Sequence, residues 1–360
     1  MAGNRAPTIY DVARLAGVAP STVSRAFARP GRVNRSTAER IRAVATELGY
    51  HTNPLARALP TGRTAMIALV VSDVTNPFCA GIVRSAQAAA GAAGYTMLLA
   101  DGRESGACER ETLERALSSV DGVVLATSRV SEPVVRETTA QRPVVLLNRS
   151  LTGVPSVVVD IERGMRQTVA HLADLGHEHV TYVAGPEESW ADGMRRRALR
   201  QCGIEQGVQS RRVGPYEPTV AGGVAAAAEV FQAATTAVIA YNDLMAIGLI
   251  RALGARGMLV PQEVSVVGSD NIFAAELVSP ALTTVAAPLR LMGDTAVRHL
   301  LAVLGGAEPS AAEPLLLPAS LVVRGTTAHR RRYNTSPAWA TTMVAGSVLN
   351  AVRSTDAGSR

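Results

Sequence analysis

The side chains able to do chemistry fall into two groups along this chain, and neither is arranged for catalysis. The first is a run near the start, Pro20-Ser21-Thr22-Val23-Ser24-Arg25 with Arg29 just beyond it, which sets hydroxyls and guanidinium groups at helical spacing. A guanidinium can pair bidentately with a guanine edge, worth about 1–3 kcal/mol of discrimination; a serine hydroxyl bonds permissively, and a proline offers an apolar face to a thymine methyl. Pro20, Ser21 and Arg25 are therefore candidate base readers, while Thr22, Ser24 and Arg29 suit phosphate contacts, which orient without specifying. A plain solvated arginine is the competing reading of Arg25. The second group is scattered: Asp73, Asn76, Phe78, Asn148, Trp190, Arg195, Tyr216, Asn242 and Asp270. Planar amides, one arginine, carboxylates and aromatics together suit a sugar, because hydroxyls donate and accept in pairs and a ring's C–H face packs on an aromatic. Core packing is the competing reading of each aromatic. Catalytic patterns are missing. The chain has no lysine, which excludes a Walker A motif; no GxGxxG follows a strand, no GxSxG elbow occurs, and His177-Glu178-His179 lacks the spacing of helical zinc ligands. Cys79, Cys108 and Cys202 lie far apart without CxxC spacing. No enzymatic activity, cofactor or metal is expected.

Placing the first group takes a pair of short helices. Thr8-Ile9-Tyr10-Asp11 has capping-box spacing before the apolar stripe Ile9, Val12, Ala13 and Ala16, and Gly17 follows where a helix would stop. Pro20 suits the first turn of a second helix running through Phe27. A third, capped by Asn34, carries Ile41, Val44, Ala45 and Leu48 and ends at Gly49, so its stripe can close a small core. Two helices joined by a glycine-containing turn make a helix-turn-helix, whose second helix enters the major groove. Charge is distributed to match. All 36 basic residues are arginine, and residues 1–64 hold ten of them against Asp11, Glu39 and Glu47, a net of +7, while residues 65–328 come to −5. A basic head on an acidic body fits phosphate neutralisation. A solvated basic face would have the same charge.

The second group belongs to a larger body. At 360 residues the chain exceeds what one core organises. From Ala65 it alternates short β-branched runs (66–71, 96–100, 122–126, 144–147, 157–160, 180–184, 237–241 and 264–267) with alanine-rich helical stretches, which implies parallel sheets covered on both faces. Two similar halves meet near Asp160. Ligands in such sheets lie beyond the carboxyl ends of strands, and most of the second group stands there.

Thr8-Ile9-Tyr10-Asp11-Val12-Ala13, Ala16-Gly17-Val18, Thr22-Val23-Ser24-Arg25 and Glu47-Leu48-Gly49-Tyr50 leading to Asn53-Pro54, at this spacing, resemble the lactose-repressor/galactose-repressor (LacI/GalR) family of bacterial transcription regulators. The likeness continues to about Thr327. It implies an α/β fold class: a small all-α helix-turn-helix head plus a two-lobed periplasmic-binding-protein-like body of doubly wound parallel sheets. The expected divisions are a DNA-binding head at 1–52, a hinge helix and linker at 53–64, and an effector-binding and dimerisation body at 65–328. Within the body the N-lobe takes about 65–160 and 287–308 and the C-lobe about 161–286 and 312–328; a basic, disordered tail covers 329–360. The resemblance further implies a homodimeric regulator, more often a repressor, on pseudo-palindromic operator DNA, controlled by a small-molecule effector, most often a sugar, held between the lobes. It puts Tyr10 on DNA together with Asn53, Ala56, Arg57 and Leu59 of the hinge, Leu59 as a minor-groove wedge. It makes Arg195 and Asp270 effector clamps, with Asn148 and Asn242 matching more loosely. A solute-binding protein for sugar uptake would share the body but requires an export signal and no basic head. The start of the chain shows no apolar export segment and no run approaches a bilayer span, so a cytoplasmic protein without membrane attachment is expected.

Overall fold

The computed structural model describes residues 7–28, 31–50, 63–233, 235–308 and 313–330. Three helices come first: α1 (Ile9–Ala16), α2 (Pro20–Ala28) and α3 (Arg35–Glu47). α1 begins where the Asp11 carboxylate accepts the backbone N–H (2.9 Å) and the hydroxyl (2.7 Å) of Thr8, and it stops at Gly17, whose φ of +64° is left-handed. Pro20 opens α2, where its missing N–H leaves no bond unmade. Asn34 caps α3 by accepting the N–H of Ser36 at 3.1 Å. Val12, Val23, Ala26, Ile41 and Ala45 are buried between the three helices, with Phe27 and Tyr50 packed against them at a centroid distance of 6.2 Å.

The body runs β1 (Met66–Val71), α4 (Pro77–Ala92), β2 (Thr96–Asp101), α5 (Gly106–Leu117), β3 (Gly122–Ala126), α6 (Glu132–Gln141), β4 (Val144–Leu147) and β5 (Ser156–Val159). It continues through α7 (Ile161–Asp174), β6 (His179–Val183), α8 (Trp190–Gln206), β7 (Gln209–Val213), α9 (Val220–Gln232), β8 (Ala237–Ala240), α10 (Asp243–Gly254), β9 (Ser265–Asp270), α11 (Ala274–Leu277) and β10 (Thr283–Ala286). It ends with α12 (Leu289–Leu304), β11 (Leu315–Leu317) and β12 (Ser320–Val322). Two six-stranded sheets result. The first has the order β11-β5-β4-β3-β1-β2 and the second β12-β10-β9-β8-β6-β7. Neighbours among β1 to β5 pair in parallel, as do those of the second sheet except β10 with β12. Every residue of β3, β4, β8 and β9 is buried, because helices cover both faces of each sheet. In the first unit Leu113, Leu117 and Val135 of α5 and α6 pack on Ala68, Val70, Val123 and Leu125, while α4 and α12 pack on one another and cover the opposite face. That last packing is close enough that a Cβ at Gly293 would collide with the carbonyl of Ile82.

Three sequence expectations change here. Residues 312–328 do not all go to the second lobe: β11 joins the first sheet beside β5, and the chain enters the second unit only at Pro318. Three consecutive leucines carry no period that could choose between two sheet edges. β7 and β10 were not foreseen, since Gln209-Ser210-Arg211-Arg212 on an exposed edge lacks an apolar run. The tail expected to be loose from 329 is instead held at its first residues. Arg330 donates its N–H to Leu175 O at 2.8 Å and places its guanidinium 2.8 Å from Glu178, so it is committed to an ion pair rather than offered to anions. Beside it the buried ring of His177 has Nε2 at 3.1 Å from both Ser265 Oγ and Ala328 O. Residues 331–360 lie outside the described residues, and no helix among the described ones is long and apolar enough to cross a membrane.

Candidate nucleic-acid interface and ligand site

On α2 the burial pattern separates two faces. Val23 and Ala26 point into the helical core, whereas Ser21 and Arg25, four residues apart, are exposed on one side. Thr22 and Ser24 are half-buried at its flanks and Pro20 is half-buried at the amino end. Tyr10 of α1 is 69% exposed. The structure thus brings a guanidinium, a hydroxyl and a phenol to the surface on a rigid three-helix support. Arg29, Asn53, Ala56, Arg57 and Leu59 lie outside the described residues.

In the first unit the sequence candidates meet at the carboxyl ends of strands, but several already hold local structure. Asp73 accepts the N–H (2.7 Å) and hydroxyl (2.6 Å) of Thr75, and Asn76 caps α4 by accepting the N–H of Phe78 at 3.0 Å. Phe78 is only 5% exposed and joins the buried face of α4, so the core-packing alternative fits it better than stacking. Asn148 ends β4 with φ +59° and is buried, its N–H bonded to Val157 O at 2.8 Å. Left-handed non-glycine residues recur along this edge, at Arg103 and Glu104 after β2 and at Thr127 after β3. Such conformations persist where surroundings enforce them and gather at functional sites. Arg129 does part of the enforcing: its guanidinium lies 2.8 Å from Glu104 and donates to Thr127 O at 2.9 Å, while its N–H donates to the buried Glu109 at 2.7 Å. Burial pushes the Glu109 carboxyl above its usual range. Sequence reasoning missed Arg103, Thr127 and Arg129, although their places just after apolar strands were the available signal.

The second unit holds the denser cluster. Arg195, one turn into α8, is buried with its Nη2 3.5 Å from Asp270 Oδ1 and its Cζ 4.8 Å from the ring centroid of Tyr241. Tyr241 is anchored in turn by a 3.0 Å bond between its hydroxyl and Ser189 Oγ. Among the described residues no acceptor makes a proper hydrogen bond to the Arg195 guanidinium, although its side chain is only 10% exposed. Asp270 closes β9 at φ +114°, a backbone conformation that costs about 1–3 kcal/mol where a side chain is present. Its carboxyl is raised well above the ordinary range, by burial first, with Arg195 opposing the shift and Asp243 adding to it. Asp243, at the start of α10, accepts the N–H of Ile272 (2.9 Å) and the hydroxyl of Thr284 (2.5 Å); burial still pushes its carboxyl up to about 7. Asp192 completes the set, accepting Tyr182 Oη and Gly185 N–H, both at 2.9 Å. Sequence reasoning missed Asp192, Tyr241 and Asp243.

Three further candidates are placed differently. Asn242 caps α10, its carbonyl accepting the N–H of Met245 and its amide donating to Pro218 O, both at 2.9 Å, so at 2% exposed its side chain already serves the backbone. Trp190 opens α8 half-buried. Tyr216 is half-buried, and burial followed by its bond to Glu229 raises its hydroxyl to about 12.

Residues 8–53 match the family described as bacterial regulatory proteins, lacI family, and residues 169–327 match the periplasmic binding protein-like domain. The HTH-type transcriptional regulator DegA of Bacillus subtilis is 33% identical over 89% of this chain and 98% of its own. Among solved structures, the lac repressor dimer bound to operator and the anti-inducer ONPF superposes with a TM-score of 0.81 at 27% identity, covering 90% of this chain and all of that one. The complex of the transcriptional regulator CelR with cellobiose gives 0.65 at 34% identity, over 89% and 99%.

Proposed function

We propose, since this chain belongs to the lacI family of bacterial regulatory proteins, that it is a ligand-responsive transcription regulator that binds pseudo-palindromic operator DNA as a homodimer. The observation carrying the DNA half of the reading is the exposed Ser21 and Arg25 pair on α2, backed by a buried core that holds the helix rigid. Base-edge contacts from these two, with Tyr10 and the hydroxyls of Thr22 and Ser24 on the backbone, give register and specificity. Phe273 and Leu277, 71% and 75% exposed at α11, supply an apolar surface suited to a second copy. The ligand half rests on the buried Arg195 guanidinium, whose donors have no hydrogen-bond acceptor among the described residues and which faces Asp270. A sugar hydroxyl accepts from the one and donates to the other. The CelR complex with cellobiose supports a sugar as the effector class. Binding to DNA and to sugar are then linked by a coupling free energy, typically about 1–3 kcal/mol and equal in both directions. The protein acts in the cytoplasm, where its operator is.

Selection of genomic fragments by the purified chain, followed by anisotropy titration against random duplex at moderate ionic strength, tests the reading. A preference of about 1,000-fold or more for selected fragments is expected. Equal affinity for both, with and without mono- and disaccharides, would overturn it.

A further inference from the structure

α8 has a second face. Its positions 193, 196, 197 and 200 recur at helical spacing on the side away from the buried Ala191, Arg195, Ala198 and Cys202, and together with β7 they line a groove of about 320 Å³. Arg196, Arg197 and Arg200 come from the helix, and Ser210 and Arg212 from the face of the strand that Tyr182 shares, while Arg211 projects to the other face of the sheet. Two carboxylates answer the four guanidinium groups of Arg196, Arg197, Arg200 and Arg212. Asp192 lies 3.1 Å from Arg196 Nε but is itself 1% exposed and held by Tyr182 and Gly185, and Glu187 stands 3.6 Å from Arg212. Arg197 and Arg200 have no ion pair among the described residues. The groove therefore carries a net charge of +2 in a concave surface. Like charges three and four residues apart weaken a helix, so the arrangement works against α8 unless an anion offsets it.

The strand adds neutral donors. β7 is the last strand of its sheet and pairs only with β6, and Gln209 donates its N–H toward that partner, to Glu178 O at 2.8 Å. Alternation along a strand turns the N–H groups of Ser210 and Arg212 to the open edge, beside the guanidinium groups. Planar forks and backbone N–H groups converging on a concavity suit phosphate oxygens. No exposed ring lines the groove, since Tyr182 is 2% exposed, so nothing there would stack on a base. The size lies at the lower end of small-molecule sites.

We propose that the groove between α8 and β7 is a binding site for a small phosphorylated metabolite carrying two or three negative charges, separate from the Arg195 site on the opposite face of the same helix. The claim stands whether or not the regulatory reading does.

Calorimetric titration of the full chain with inorganic pyrophosphate at physiological ionic strength tests it. One saturable site per chain should be lost or weakened about tenfold or more in Arg197→Gln/Arg200→Gln, and likewise in Arg212→Gln, as expected when charge-assisted hydrogen bonds are removed. Arg115→Gln, an exposed arginine of α5 paired with Glu111, should bind as the wild type does. Thermal melts of all three variants report folding. Unchanged pyrophosphate affinity in both groove variants would overturn the proposal. So would an equal loss of duplex-DNA affinity in the same variants, which would make the groove a nucleic-acid contact instead.

Discussion

Asp270→Asn should separate binding from stability in this protein. Asp270 is 7% exposed, sits at φ +114°, and has its nearest cation, Arg195 Nη2, at 3.5 Å, beyond the usual hydrogen-bond length. Burial raises its carboxyl well above the ordinary range, which means the folded state holds a proton that the unfolded chain has already released. Stability linked to such a group is fullest in acid and falls as pH rises through the ordinary carboxylate range and beyond. Asp243 behaves alike, and its carboxyl at about 7 puts its share of the fall between about pH 4 and about pH 7. Asparagine keeps the shape, tolerates positive φ and removes the ionisation, while Arg195 still lies over Tyr241 and near Asp192 and Asp243. The ligand-free variant should melt at pH 8 no more than about 3 °C below wild type, and its melting temperature should fall less steeply with rising pH. Sugar affinity should drop, because the amide cannot reproduce the hydrogen bond of the neutral carboxyl, and such a bond contributes about 0.5–1.5 kcal/mol, or about 2- to 13-fold. Thermal shift from pH 5 to 8 with a panel of mono- and disaccharides measures both quantities. A variant that melts well below wild type yet keeps its full sugar response would show that Asp270 is a structural residue and refute the reasoning.

The other expectations concern the head and the anchor of the C-terminal segment. Arg25→Ala should relax specificity at one base position in each half-site by about 1–3 kcal/mol; an equal loss on random duplex would reduce Arg25 to a phosphate contact. Ile41 is fully buried in the small helical core, so Ile41→Ala should cost the head about 2–5 kcal/mol. Calorimetry should then show the head's transition lowered and the body's unchanged, with operator affinity lost and sugar response kept. Burial lowers the pKa of His177 below its usual value, so the folded state resists a proton that the unfolded chain takes up. Stability should therefore fall as pH drops below about 6.5, and His177→Gln should flatten that slope in melts from pH 5 to 8. An unaltered slope would rule the ring out as its source.

Local chemistry made much of this protein readable before its structure. The caps at Thr8 and Asn34, the stops at Gly17 and Gly49 and the proline opening α2 act within a few residues, so they could be read directly along the chain. Strands buried on both faces advertise themselves as unbroken apolar runs, and residues at their carboxyl ends, Arg195's partner Asp270 among them, could be nominated from order alone. Tertiary structure had to decide the rest. Whether Leu315–Leu317 completes the first sheet or the second depends on which edge lies in reach, and whether Asn242 serves a ligand or the backbone depends on Pro218 and Met245. The crowding of Asp192, Asp243 and Asp270 around one guanidinium joins residues up to 78 positions apart in sequence, and so does the burial that raises the carboxyls of Asp243 and Asp270. Sequence spacing records what a residue does to its neighbours in the chain. Desolvation and charge coupling arise only when distant segments exclude water together.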